Sequence, residues 1–289
     1  MHKSKFFKFI LPIALPAAVF AIFNSVQKPL TAQTNVNHLA MGNPTNAGSS
    51  TNNLLLSKFQ YATSHNCFRG TPNWVSWQLN TSWLGSAPRQ DDFRADTTLP
   101  SGCYRVQGTD YTGSGFDRGH MTPSADRTNT VANNSATFFM TNIIPQAPDN
   151  NQGVWANLEN YTRSLVTSST ELYVIAGSYG TGGTGSNGAR NTITTPTGGT
   201  ITVPARTYKV IVVLNKPNSG AGSVTTSTRV IAVDIPNTQG VRNANWRSYR
   251  ISVDTLESRL TSATGTTYNF LSNVPSSVQN VIEARVDNL

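Results

Sequence analysis

The chain has 289 residues, with 22 Lys and Arg against 14 Asp and Glu and a formal charge of +8; this length admits one large domain or two small ones. Its two cysteines, Cys67 and Cys103, belong to no CxxC or Cys/His cluster, which argues against a structural zinc site. The positive balance fits a polyanionic partner and fits plain solubility equally well, so charge alone selects no function.

The N-terminus reads as a targeting segment. His2-Lys3-Ser4-Lys5-Phe6-Phe7-Lys8 is a positive lead, Phe9 to Phe23 is an apolar run, and Leu30-Thr31-Ala32-Gln33 is a small-residue stretch suited to cleavage. That order predicts a secretory signal peptide over 1–32. The run is short for a membrane span, and Pro12 and Pro16 interrupt it. A secreted or periplasmic location is expected, with no stable membrane association after cleavage. Removal takes Lys3, Lys5, Lys8 and Lys28 but no acid, lowering the charge from +8 to +4. Fifteen arginines then stand against Lys58, Lys209 and Lys216, and arginine is the better planar, bidentate partner for phosphate. Residues 33–54 are rich in Asn, Thr, Ser, Gly and Ala; the composition predicts a disordered polar leader. The folded domain is expected over 55–289. In an exported protein a Cys67–Cys103 disulfide is reasonable, with two separate buried thiols as the alternative.

Phe116 to Met121 alternates aromatic and polar residues, predicting extended structure or a tight ribbon. Ala136 to Thr141 has strand character, and Pro145 to Asn151 is dense in turn formers and N-cap candidates. From 152 to 168 the spacing of Trp155, Leu158, Tyr161 and Leu165 predicts a helix. Leu172 to Ala176 reads as a buried strand, and 178–199 as a Gly/Thr-rich loop with little core. Thr207 to Leu214 and Arg229 to Ile235 are β-branched runs expected to pair antiparallel. Val253, Leu256 and Leu260 suit a helix ending near Gly265. The sum is an α+β fold: a mixed, mainly antiparallel central sheet flanked by helices.

Four histidines are present. His2 falls in the signal segment, His38 in the leader and His65 in a turn-like stretch, whereas His120 sits among Asp117, Arg118, Asp126 and Arg127. An imidazole titrating near neutrality can take a proton from an attacking water. Arg118 could hold a phosphate, and Gly119 permits close backbone approach. A second constellation, Asn151, Trp155, Glu159 and Arg163, is spaced by four and forms a slowly winding stripe on one side of the helix. One reading is an Asn cap with an i,i+4 Glu–Arg pair. The other makes the amide oxygen and the carboxylate hard-oxygen ligands for Mg²⁺, directly or through water.

Phe116-Asp-Arg-Gly-His120, Thr141-Asn-Ile-Ile-Pro-Gln146, Asn151-Gln-Gly-Val-Trp155 and Leu158-Glu159, in this order, resemble the DNA/RNA non-specific endonucleases. These are sugar-non-specific nucleases with a ββα-metal (His-Me finger) motif. The similarity is greatest to the secreted cyanobacterial members. It spans roughly 61 to 270 and takes in Pro88-Arg89-Gln-Asp-Asp-Phe93 and Val253-Asp254…Glu257…Thr264-Gly265. The resemblance implies His120 as general base and Asn151 as the one direct protein ligand to a single Mg²⁺ or Mn²⁺. It implies Asp117 and Glu159 as holders of metal-bound water, with Arg89, Arg118 and Arg163 as cations for the phosphate and transition state. It further implies single- and double-stranded DNA and RNA as substrates, 5′-phosphate products, and a dedicated protein inhibitor as a partner the family allows. Two other classes stand beside it: an exported metal-dependent phosphatase or small phosphodiesterase, and a non-catalytic nucleic-acid-binding module. Activity on supercoiled plasmid separates the first, and binding without cleavage in Mg²⁺ the second.

Overall fold

β-branched and aromatic runs, which pack well on a pleated surface, supply most of the strands in a computed structural model that describes Met1 and residues 36–289. The expected signal peptide and the first leader residues lie outside the described residues. In chain order the elements begin with β1 (Leu54–Ser57), β2 (Ala62–Asn66) and β3 (Thr71–Leu79). There follow β4 (Asp117–His120), α1 (Val131–Ala136), β5 (Ile143–Gln146), α2 (Ala156–Ser164) and β6 (Glu171–Tyr179). Four three-residue strands come next: β7 (Gly183–Gly185), β8 (Gly188–Arg190), β9 (Thr192–Thr194) and β10 (Thr200–Thr202). The chain closes with β11 (Arg206–Leu214), β12 (Arg229–Pro236), β13 (Arg250–Ile251), α3 (Val253–Thr264) and α4 (Ser276–Ile282).

Seven strands form one sheet in the order β1-β2-β3-β6-β11-β12-β13, and every pairing in it is antiparallel. The expected α+β architecture is therefore observed, and the two β-branched runs pair as expected, with Ile211 opposite Ile231. β6 is buried at all nine positions, as befits a central strand covered on both faces. Period-two alternation divides its side chains between two cores. Tyr173 and Ile175 join Tyr208, Val210 and Phe270 under α3 and α4. Leu172, Val174 and Ala176 join Ile211, Ile231, Val154, Trp155 and Leu158 on the opposite face. That second layer carries α2 and the β4–β5 hairpin.

Four expectations are corrected. Residues 36–53 are packed rather than disordered: Met41 is 1% exposed, Trp74 Nε1 donates to Thr45 Oγ1 at 2.8 Å, and the Gln78 amide donates to His38 Nδ1 at 3.1 Å. The composition argument fails because this stretch builds no core of its own; it inserts a few side chains into one that exists. His65 lies in β2 with 1% exposure rather than in a turn. Ala136 closes α1, and Met140–Asn142 is a short 3-10 turn, where strand was expected; Ala136, Phe138 and Met140 are buried there, but by a helix and turn. The Gly/Thr-rich segment 178–199 includes β7, β8 and β9 and buries Ile193. The expected helix runs Val253–Thr264, with Gly265 at φ 70° capping it in the left-handed conformation. Cys67 and Cys103 are joined in a disulfide.

Candidate active site

β4 and β5 pair antiparallel, with Asp117 opposite Gln146 and His120 opposite Ile143. The chain then turns through Pro148 and enters a wide, π-type turn over Asn150–Trp155 that continues as α2. Strand, strand and helix thus meet at one corner. The close fit depends on Gly119, because a β-carbon there would overlap the Gln146 side chain. Gln146 is fully buried and its Nε2 donates to Asn150 Oδ1 at 2.6 Å. Asn150, also fully buried, donates to Pro236 O at 2.8 Å and Thr207 Oγ1 at 3.2 Å. Asn237 supports the same corner, accepting from the Ala147 amide at 2.7 Å and donating to Pro145 O and Pro204 O. Asn150 and Asn237, buried carboxamides bonded through both oxygen and nitrogen, fix one arrangement of backbone.

Asn151 is not a helix cap. Its own amide donates to Ala147 O at 2.9 Å, and its side-chain Nδ2 donates to Asp117 Oδ2 at 2.9 Å. Gln152 Nε2 donates to the same carboxylate oxygen at 2.8 Å. With the amide nitrogen committed to Asp117, the carboxamide oxygen of Asn151 is the end left for a ligand. A neutral amide oxygen beside a carboxylate is a hard-oxygen donor set, of the kind that suits a hard divalent cation. Asp117, Arg118, Asn151 and Gln152 line a polar cleft of about 410 Å³ together with Arg89 and Phe93.

His120 lies behind the rim of this cleft, 8% exposed. Its ring makes edge contacts with Phe138 (4.8 Å between centroids) and Phe93 (5.3 Å). The Arg118 guanidinium covers the other part of Phe93 at 3.9 Å, and Arg89 covers Phe138 at 4.9 Å. Burial first, then the charges of Arg89 and Arg118, push the His120 pKa down to about 3. The imidazole is therefore neutral across the physiological range. Its Nε2 is buried without a hydrogen-bond partner among the described residues.

Glu159 and Arg163 form a neighbouring charged cluster and do not line the cleft. No ion pair joins them: Arg163 Nη1 donates to Asp126 Oδ1 at 3.0 Å, and Glu159 Oε1 faces Lys209 Nζ at 3.8 Å. The i,i+4 surface pair is thus not what these residues make. Lys209 is 1% exposed and lies 4.1 Å from the Trp155 ring centroid. Burial pushes the Glu159 carboxyl up, and the Lys209 ammonium opposes it; Lys209 is itself lowered by burial and raised by Glu159. Asp126 also accepts from Trp77 Nε1 at 2.9 Å. The 3-10 turn Ser124–Asp126 links the clusters, since Arg89 Nη1 donates to Ser124 Oγ at 3.1 Å.

Sequence reasoning did not single out Lys209, Gln146, Asn150, Gln152 or Asn237. A lone lysine inside the β-branched run Thr207 to Leu214 was the one available signal, because lysine is almost never fully buried unless paired.

Two antiparallel strands feeding a helix, arginines and a hard-oxygen pair lining one cleft, and a histidine behind its rim are the parts of a ββα nuclease. A family model described as DNA/RNA non-specific endonuclease matches residues 37–277. A nuclease of Nostoc sp. is 51% identical over 254 residues, covering 87% of this chain and 86% of that one. Nuclease C1 of Cunninghamella echinulata is 33% identical over 171 residues, 57% of this chain and 68% of its own. A solved complex of EndoG with EndoGI, which concerns EndoG inhibition, matches with a TM-score of 0.65 over 83% of this chain and 91% of that one, at 21% identity. The chain belongs to the DNA/RNA non-specific endonuclease family, and it is an enzyme that hydrolyses nucleic acid.

Proposed function

We propose that this chain is an exported, sugar-non-specific endonuclease that cleaves single- and double-stranded DNA and RNA to leave 5′-phosphate ends. His120 acts as general base, taking a proton from the water that attacks phosphorus as the bond to the 3′ oxygen breaks and that oxygen gains a proton. The observation that carries this reading is the His120 ring, packed on Phe93 and Phe138 whose other neighbours are Arg118 and Arg89, behind the cleft where Asp117 holds the Asn151 carboxamide. A single Mg²⁺ or Mn²⁺ fits the Asn151 carboxamide oxygen, with the Asp117 carboxylate beside it for the hydration shell and Glu159 acting on that shell from the neighbouring cluster; when bound the ion would supply Lewis-acid stabilisation of the phosphate charge. Arg89 and Arg118 offset the negative charge that grows at phosphorus, and Arg163, fixed on Asp126, adds to the same field. Weak sequence preference follows if phosphate contacts do the positioning, since they read no bases.

Export rests on the signal-like order of residues 1–32, and the Cys67–Cys103 disulfide supports an oxidising compartment. Among the described residues no helix is long and apolar enough to cross a membrane, which is compatible with release after cleavage. A dedicated protein inhibitor completes the proposal. The test is digestion of supercoiled plasmid and of RNA side by side, with Mg²⁺, with chelator, and with His120→Ala. The reading expects loss of about 10²–10⁴ in rate for the variant; near-normal turnover would refute it.

A further inference from the structure

Away from the cleft, on the opposite face of the sheet, α3 begins where α4 ends. The Asp254 amide, in the first turn of α3, donates to Glu283 O at 3.1 Å just past α4. Carboxylate oxygens of Asp254, Glu257 and Glu283 converge to within 4.8 Å of one another. No Lys or Arg makes an ion pair with any of the three among the described residues. Glu257 Oε1 accepts from the Phe270 amide at 2.7 Å.

Glu283 supplies a separate observation. Its side chain is turned inward, the residue is only 6% exposed, and Oε1 is buried without any hydrogen-bond donor. A buried acceptor with no partner carries the full desolvation cost of its polar atom, and a bound water or ion is one way such an atom is satisfied. An inward-facing carboxylate opposed by two more, with no protein cation near, requires either protons or a metal.

We infer that Asp254, Glu257 and Glu283 form a Ca²⁺ site that clamps the start of α3 to the end of α4. Two ligands on one Ca²⁺, at 2.3–2.6 Å each, stand at most about 4.6–5.2 Å apart, and three evenly spread ones at most about 4.5 Å, so a closing of a few tenths of an ångström at most brings all three oxygens onto one ion. Mg²⁺ demands a tighter octahedron, with opposite ligands about 4.0–4.2 Å apart. Solvent at the exposed Asp254 completes the shell. Without a cation, burial and the neighbouring carboxylates push Glu257 up to about 8 and Glu283 up to about 7. Protons are thus the competing occupant. The site is distinct from the nuclease centre and its role is structural.

The test uses the full chain stripped with chelator and then titrated with CaCl₂, by calorimetry and by thermal unfolding. The wild type is compared with Asp254→Asn/Glu283→Gln, which keeps Glu257 on Phe270. Any binding in the Asn151 cleft is common to both proteins and cancels in the difference. The wild type should bind one more Ca²⁺ per chain. At about a hundredfold excess over the dissociation constant, its Tm should rise about 5–10 °C further than that of the variant. Equal stoichiometry and equal Tm rise, with both chains folded, would mean protons hold the cluster and would overturn the inference. Should the double variant fail to fold, Asp254→Asn alone, at an exposed position, must weaken Ca²⁺ binding about tenfold or more; an unchanged isotherm overturns the site equally.

Discussion

Lys209→Met is the perturbation that reaches deepest into the candidate site without touching the cleft. The methionine keeps an unbranched apolar side chain there and removes the ammonium, which faces Glu159 at 3.8 Å and lies 4.1 Å from the Trp155 ring centroid. At that separation and an effective dielectric near 20, the lost attraction is about 4 kcal/mol, in line with the 3–5 kcal/mol cost of removing one partner from a buried pair. Burial already raises the Glu159 pKa, and Lys209 is the largest influence holding it down. Without the lysine the pKa moves further up, so Glu159 ionises only at higher pH. The acid limb of kcat/KM against pH should therefore shift to higher pH, and more Mg²⁺ should be needed for half-maximal rate. Adding Glu159→Gln to Lys209→Met should restore stability, because no lone buried charge remains, yet should not restore rate. The assay is plasmid nicking across pH and Mg²⁺ concentration, with urea unfolding of all three proteins. A folded Lys209→Met enzyme with unchanged pH profile and Mg²⁺ dependence would refute the assignment of Lys209 to Glu159.

Gly119→Ala should lose most activity while the main sheet survives, because the new β-carbon pushes Gln146 off Asn150 and moves the turn that carries Asn151; an unchanged rate would show the hairpin tolerates the displacement. Replacing Cys67 and Cys103 by serine opens a loop of 36 residues, costing about 4 kcal/mol or roughly 8–16 °C in Tm, measurable by calorimetry. His65, pushed down to about 4 by burial, takes up its proton only on unfolding, since its unfolded pKa of 6.5 lies above the folded one. Its contribution is intact above pH 6.5 and is lost as pH falls toward 4, by about 1.4 kcal/mol per pH unit. His65→Gln should therefore show a shallower decline in urea midpoint over that window; parallel curves would contradict a neutral buried imidazole.

Much of the site was legible because its chemistry is local in sequence. Asp117, Arg118 and His120 occupy one four-residue strand, and Asn151 and Glu159 follow on one helix. The β-branched runs that became β11 and β12 were legible for the same reason: periodicity is a local signal. The residues that escaped act over long separations. Lys209 meets Glu159, and Asn237 meets Ala147, only once the sheet is assembled. The leader 36–53 misled because composition scores what a segment can bury by itself, whereas Met41 and Thr45 are buried by strands that come later. The strand character of Ala136 to Thr141 misled because a short apolar run gives burial without giving conformation.

Chemical rescue of His120→Gly bears most directly on the central claim. The substitution leaves a ring-sized gap between Phe93 and Phe138, and free imidazole should fill it and accept the proton in place of the missing side chain. Plasmid nicking by the variant should fall by about 10²–10⁴ and recover in proportion to neutral imidazole, while Asn151→Ala gains nothing from it. A variant that nicks at the wild-type rate, or one that imidazole leaves unchanged although folded and able to bind DNA, would contradict the account.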